Sequence, residues 1–376
     1  MRSAIIILSM LLSGGIFAQN QTPIESEAEE SIDEIKIQPA SDKEKNKAPR
    51  TYSNKKRESK ITKDVQSQKF KSYKASSNVQ RTQRSPNLIQ QMEMDKVVSS
   101  LEANSPNSFE YHYFKYVAGN YDISLINHLN EAEKLRPKNV DVLVQKTAYN
   151  IITENKSVAN RYLIKLLFYK KLTQNVANYA EDILLSVPQN GTLITHGFDD
   201  TYGALFMQSK GVRKDVQLIS LDFLQSDAYR NTLRKKGYQI PKGEVVNTQF
   251  FKEFCRMNPS KKLAVSVTTP KEYLREVAQK MYLQGLVMVY ADYAKENFAQ
   301  NDFLWHTKLK KQVVVNASDE KSKQLSANYL PMLFILRKGY NSSGEYAKVK
   351  EIDRAIDAIG IQCHKYDKVQ KLKGSY

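Results

Sequence analysis

The sequence predicts an α/β fold. A small three-layer, Rossmann-like parallel sheet is preceded by helices like those of tetratricopeptide repeats and followed by a helical hairpin, behind a disordered N-terminal arm. Three observations carry that prediction. Apolar residues recur at 3 and 4 spacing between Val140 and Leu184, the signature of amphipathic helices. After Gly191 the pattern switches to short β-branched runs, each followed by a helical stretch, as expected of parallel strands with covering helices. Before about residue 105 charge dominates and large apolar side chains are sparse, so little surface is available to offset chain entropy.

The chain opens with MRSAIIILSMLLSGGIFA, which has the layout of a secretory signal. Arg2 supplies the positive start, Ala4 to Leu12 the apolar run, and Ala18 a small residue for cleavage before Gln19. That run falls short of the about 20 residues a bilayer span takes, so a cleaved signal and an exported chain are expected. Residues 19–105 form the arm, acidic at TPIESEAEESIDEIK and basic from Lys43 to Arg84. The basic block supplies most of the formal charge of +17. Lys55, Lys56 and Arg57, with Tyr52, Phe70 and Tyr73 nearby, suit an anionic polymer. Export argues against nucleic acid and favours an anionic membrane surface or another envelope protein. A plain solvated tether is the alternative, since blocks of like charge are commonly that.

Residues 106–190 read as a helical layer. Val140, Leu143, Val144, Thr147, Ala148 and Ile151 line one helix face, and Val176, Ala177, Ala180, Ile183 and Leu184 another. NEAEKLRPKN and YAEDILLSVPQN look like tetratricopeptide helix ends, but lie about 50 residues apart rather than the roughly 34 of that repeat. The α/β module spans 191–300, with strands in TLITHG, VQLISL, KLAVSV and GLVMVY and helices between them. Right-handed crossovers would give it three layers. Residues 301–376 return to helix, with a hairpin turn at Asn341 to Gly344 and Pro331 starting or interrupting a helix. Cys255 and Cys363 do not make a disulfide framework and read as buried free thiols. The Cys363-His364 pair lacks the further ligands a metal needs, and Trp305 beside Phe303 and Leu304 reads as core rather than a sugar platform.

SVPQNGTLITHGFDDTYGALFMQSKGVRKDVQLISLDFLQSDAYRNTLRKKGY resembles the soluble region that follows the membrane spans of multi-pass, protein-mannosyltransferase-like proteins of Bacteroidota. Gly197, Asp200 and Thr201 match, as do Gly211, Val212, Arg213, Asp215 and Val216, then Leu221 and Leu224. KLAVSVTTPKEYL and MYLQGLVMVY match the later strand, helix and closing strand. Phe198 stands where the family has an acid, and Asp199 where it has asparagine. The resemblance covers roughly 176 to 295, and more loosely the helices near 360. It implies a stand-alone, periplasmic copy of the exported module. The spans that would house glycosyl transfer are missing, so transferase activity does not follow.

The candidate site is the loop after the first strand, His196, Asp199, Asp200 and Thr201, joined by Asp222 after the second. Open parallel sheets bind ligands beyond the carboxyl ends of their strands, beside helix N-termini. Histidine changes charge near neutral pH, and paired carboxylates can divide acid and base roles. Against this, adjacent helical positions do not face each other, and a carboxylate here would naturally cap the helix. With no GxGxxG, GxSxG or Walker loop, the sequence assigns no catalytic residue, no cofactor and no metal. Two expectations follow. The first is an exported periplasmic accessory or scaffold protein of a Bacteroidota envelope, working through protein–protein contacts in a secretion or glycosylation assembly. The second is a ligand-binding or glycan-processing module that uses the loop at 196–201.

Overall fold

The computed structural model describes residues 63–75 and 82–374, apart from 294 and 296. The expected signal and most of the arm lie outside these residues. Where the described residues overlap the expected arm, 63–75 and 88–104 are helical and 82–85 extended, so helix begins before residue 105. Helix α1 covers 63–75 and α2 covers Leu88–Asn104. Asn87 accepts the Gln90 amide while the Gln90 side chain accepts the Asn87 amide, a reciprocal cap that starts α2. Met94, Val97, Val98 and Leu101 bury one face of α2 in a cluster with α3, Phe109–Ala118, and Phe70 of α1 stacks on Phe114 at 4.1 Å. Few apolar residues suffice because the aromatic α3 supplies the other half of the contact.

Helices α4 (Ile126–Leu135), α5 (Val140–Ile152), α6 (Lys156–Phe168) and α7 (Gln174–Ser186) continue the layer. Asn139, Asn155 and Thr173 cap the last three through their side chains. The module then alternates: β1 (Thr192–Thr195), α8 (Gly197–Ser209), β2 (Gln217–Ser220), α9 (Asp227–Lys235), α10 (Thr248–Met257), β3 (Leu263–Ser266) and α11 (Lys271–Val277). Strands β4 (Met281–Gln284) and β5 (Val287–Tyr290) close it.

The sheet order is β2-β1-β3-β5-β4, and the sheet is mixed rather than parallel throughout. β1 runs parallel to β2 and β3, whereas β5 runs antiparallel to both β3 and β4. The reason is the two-residue link Gly285-Leu286, which can join only antiparallel strands. Gly285 has φ +57°, and its turn presses against α7: Leu286 N–H donates to Ser186 Oγ at 3.0 Å, and Gly285 N–H to Asn301 Oδ1 at 2.7 Å. A side chain there would collide with Ser186.

Helices α12 (Phe298–Phe303) and α13 (Gln312–Val315) lead to α14 (Glu320–Ser326) and α15 (Leu330–Ser342). Pro331 sits in the first turn of α15, where a missing N–H costs nothing. A turn through Gly344, φ +75°, leads to α16, Tyr346–Gln362, which packs back as a hairpin, and α17, Tyr366–Gly374, follows. One apolar core runs through the layer from α5, the sheet and this C-terminal region. Asp182 of α7 ties it further, accepting the Lys310 and Lys311 amides at 2.6 and 2.7 Å and the Tyr329 hydroxyl at 2.6 Å. Trp305 is buried, as are the free thiols of Cys255 and Cys363. Among the described residues no helix is long and apolar enough to cross a membrane.

Candidate functional site

Because β1, β2 and β3 run the same way, their carboxyl ends share one edge. The segments His196–Thr201, Leu221–Gln225 and Ser266–Pro270 emerge there. The chain leaves β1 for β2 on one side and later returns to β3 on the other, so the crevice between β1 and β3 is where such sheets receive ligands.

Gly197 begins α8 with φ +71°, a conformation that costs a side-chain-bearing residue roughly 1–2 kcal/mol. His196 occupies the cap position but makes no side-chain cap bond. Neither Asp199 nor Asp200 caps the helix either. The Gly197 N–H donates instead to Asp222 Oδ2 at 2.8 Å, so the cap arrives from the neighbouring strand. The other oxygen, Oδ1, accepts both Nε and Nη2 of Arg84, at 2.8 and 2.6 Å.

Arg84 comes from the arm. Its segment lies antiparallel to the stretch before α10: Arg84 N–H donates to the Val246 carbonyl at 2.9 Å, Thr248 N–H to the Thr82 carbonyl at 3.1 Å, and Gln83 bridges Asn247. Burial pushes the Asp222 carboxyl up, but Arg84, His196 and the Gly197 amide together hold it below its ordinary value. Lys74 of α1 shares this field, and burial lowers its ammonium to about 8 against the pull of Asp222.

Asp200 belongs to a different network. It is 2% exposed and accepts a hydrogen bond from the Thr268 hydroxyl across the β1–β3 crevice, with Ser266 beside it. Burial pushes its carboxyl up to about 7, opposed by those two hydroxyls and aided by the charge of Asp199. Thr201 turns inward, its Oγ1 lying 2.9 Å from Thr195 Oγ1 and 3.4 Å from Ser220 Oγ. Asp199 pairs with Lys321 of α14 at 2.6 Å. The five predicted residues therefore divide: His196 and Asp222 meet at the β2 side, Thr201 bonds across the ends of β1 and β2, Asp200 faces the β1–β3 crevice, and Asp199 joins the C-terminal helices. Each carboxylate ends on donors the chain itself supplies.

Two surface hollows lie elsewhere. One of about 510 Å³ is bordered by Asn127, Glu131 and Pro137, and one of about 700 Å³ by Ile361, His364 and Tyr366; none of the five residues lines either. Sequence reasoning missed Arg84, Ser266, Thr268 and Lys321. Arg84 is one basic residue in a basic run, with nothing local to mark it. Ser266 and Thr268 could have been found, since they close and follow β3 at the edge where β1 and β2 end.

Residues 176–336, from α7 into α15, match the family model described as TMEM260-associated domain 2. TMEM260 is a protein-O-mannosyltransferase-like protein, so the match is consistent with kinship to mannosyltransferase-related proteins. The matched span is under half of the 376-residue chain. Comparison with curated proteins and with solved structures gives no match.

Proposed function

We propose that this chain is an exported accessory or scaffold protein of a Bacteroidota envelope, working by protein–protein contact in a secretion or glycosylation assembly. In this reading 1–18 is a removed signal, the helices over 106–190 are a tetratricopeptide-like docking layer, and the sheet is a Rossmann-like core that holds shape. The observation that carries it is that the carboxylates of the candidate loop are each engaged by groups of the chain itself. Asp199 is held by Lys321, Asp200 by Thr268, and Asp222 by Arg84 and the Gly197 amide, which suits a structural turn better than a ligand cradle. The helices before the sheet, in contrast, leave large apolar side chains in water: Leu88, Ile89 and Met92 on α2, and, within the docking layer, Ile164 and Phe168 one turn apart on α6. Exposed apolar groups gathered on one element suit partner contact.

The test is a crosslinked pull-down of the mature chain from its own envelope, with Ile164→Glu/Phe168→Glu and Asp200→Asn variants run beside it. The scaffold reading expects a stoichiometric protein partner that is lost with the α6 variant and kept with Asp200→Asn. A clean lane for the unaltered chain removes it.

A second reading keeps the crevice as a ligand-binding or glycan-processing site, supported by the family match. It requires a glycan or small ligand that raises the melting temperature of the chain and fails to do so in Asp200→Asn.

A further inference from the structure

The arm segment raises its own question, because it lies at the carboxyl edge of the sheet, beside Asp222. Thr82–Ser85 runs extended and antiparallel to Val246–Thr248, held by two backbone hydrogen bonds, in the manner of a peptide added beside an element. Its one deep anchor is Arg84, whose side chain is only 8% exposed. The guanidinium places two N–H groups on a single Asp222 oxygen while the Gly197 amide holds the other. A lysine has no second donor in that fork geometry.

The fit is incomplete. Arg84 Nη1, Ser85 Oγ and Gln225 Oε1 are all buried with no hydrogen-bond partner among the described residues. Buried polar groups left unpaired are a standing penalty. The segment is thus well recognised through its backbone and one guanidinium, and poorly satisfied around them. That combination marks an occupant a better-fitting segment can displace.

We propose that the carboxyl edge beside Asp222 is a docking site for an extended, arginine-bearing protein segment, filled in cis by Thr82–Ser85 and taken in trans by a partner segment of the same chemistry. The proposal rests on the protein-docking reading of the chain and names where one contact is made. The cis segment acts as a tethered competitor, whose high effective concentration keeps weak ligands out.

The test uses the full chain and a fluorescent peptide carrying the chain's own sequence QRTQRSPN, residues 80–87, read by anisotropy. The Arg84→Ala chain, checked for folding by circular dichroism, should bind it saturably and the unaltered chain on the order of tenfold or more weakly. Adding Asp222→Asn to Arg84→Ala should abolish binding, as should Arg84→Ala within the peptide. Saturable binding that ignores either change, equal binding to the unaltered chain, or no binding to the folded variant overturns the proposal. If Arg84→Ala does not fold, hydrogen exchange on the unaltered chain decides. Excess peptide should speed exchange at the displaced Arg84 amide while Thr248, bonded again by the peptide, keeps its protection, and an unchanged Arg84 rate overturns the site. The two levels separate cleanly: a pull-down partner retained by Asp222→Asn would leave the docking reading standing and remove this edge from it.

Discussion

Asp222 and Asp200 lie at the same edge of the same sheet, and the fold treats them in opposite ways. Asp222 stays ionised, its oxygens divided between a guanidinium from 138 residues earlier and the first amide of α8. Asp200 sits among hydroxyls, with no cation paired to it among the described residues, and its carboxyl is pushed up to about 7. Position at a strand end is therefore a poor guide to chemistry. What decides is which donors the rest of the chain delivers, and here one came from the arm and the others from the loop after β3. The first arrangement fastens a distant segment to the sheet. The second is a local knot between α8 and β3.

The sharpest way to break this contrast is to remove Asp222. Asp222→Ala leaves Arg84 buried without its counter-charge and should cost on the order of 3–5 kcal/mol, read by urea denaturation. The double variant Arg84→Ala/Asp222→Ala should be less damaged than the sum of the two singles, because neither charge is then stranded. Additive losses would show that the pair does not act as a unit.

Asp200 should instead reveal itself through pH. Its folded-state carboxyl is raised above the ordinary value, so the native form keeps a proton that the unfolded chain has released. Its contribution is complete below the unfolded value and declines as pH rises toward about 7, by at most about 1.4 kcal/mol per pH unit. Asp200→Asn has no proton to lose. Measured between pH 4 and 8, the variant should gain on the unaltered chain steadily up to neutrality and then run level with it. Parallel stability curves would mean that Asp200 is no more burdened by its setting than Asp222.

Much of the frame behind both residues is legible in the sequence. The β-branched runs at TLIT, QLIS and LAVS announce buried strands, and Gly197 announces the turn that ends the first. The β4–β5 reversal is hidden because Gln284-Gly285 sits inside a continuous apolar run, where periodicity has nothing to distinguish one long strand from a hairpin. α2 is hidden for a different reason: its apolar face is buried in a cluster with Phe70 and Phe114 from other helices, which local composition does not see. The loop residues themselves are easily found, but their partners are not. Arg84, Thr268 and Lys321 lie 138, 68 and 122 residues from the carboxylates they satisfy. Pairings at that separation are set by the tertiary fold.

Both carboxylates also depend on where α8 sits, and that is governed by Gly203. A Cβ there would lie 2.7 Å from Ala180 Cβ and 3.2 Å from the Val176 carbonyl, so α7 and α8 approach as closely as backbones allow. Gly203→Ala should gain about 1 kcal/mol in helix propensity yet lose about 1–3 kcal/mol to overpacking. A net fall in melting temperature is expected, with the Asp200 pH dependence altered as α8 shifts off β3. A stabilised variant would mean the two helices part without strain.

The smallest effect should come from the third carboxylate. Lys321 reaches Asp199 at 2.6 Å, but its side chain is 40% exposed while Asp199 is 9% exposed, so water screens the pair from one side. Such pairs contribute about 0–1 kcal/mol, and Lys321→Ala should fall in that range and shrink further at high salt. This is the control that gives the larger numbers meaning. If Lys321→Ala proved as damaging as Asp222→Ala, depth of burial would not be what separates the carboxylates at this edge.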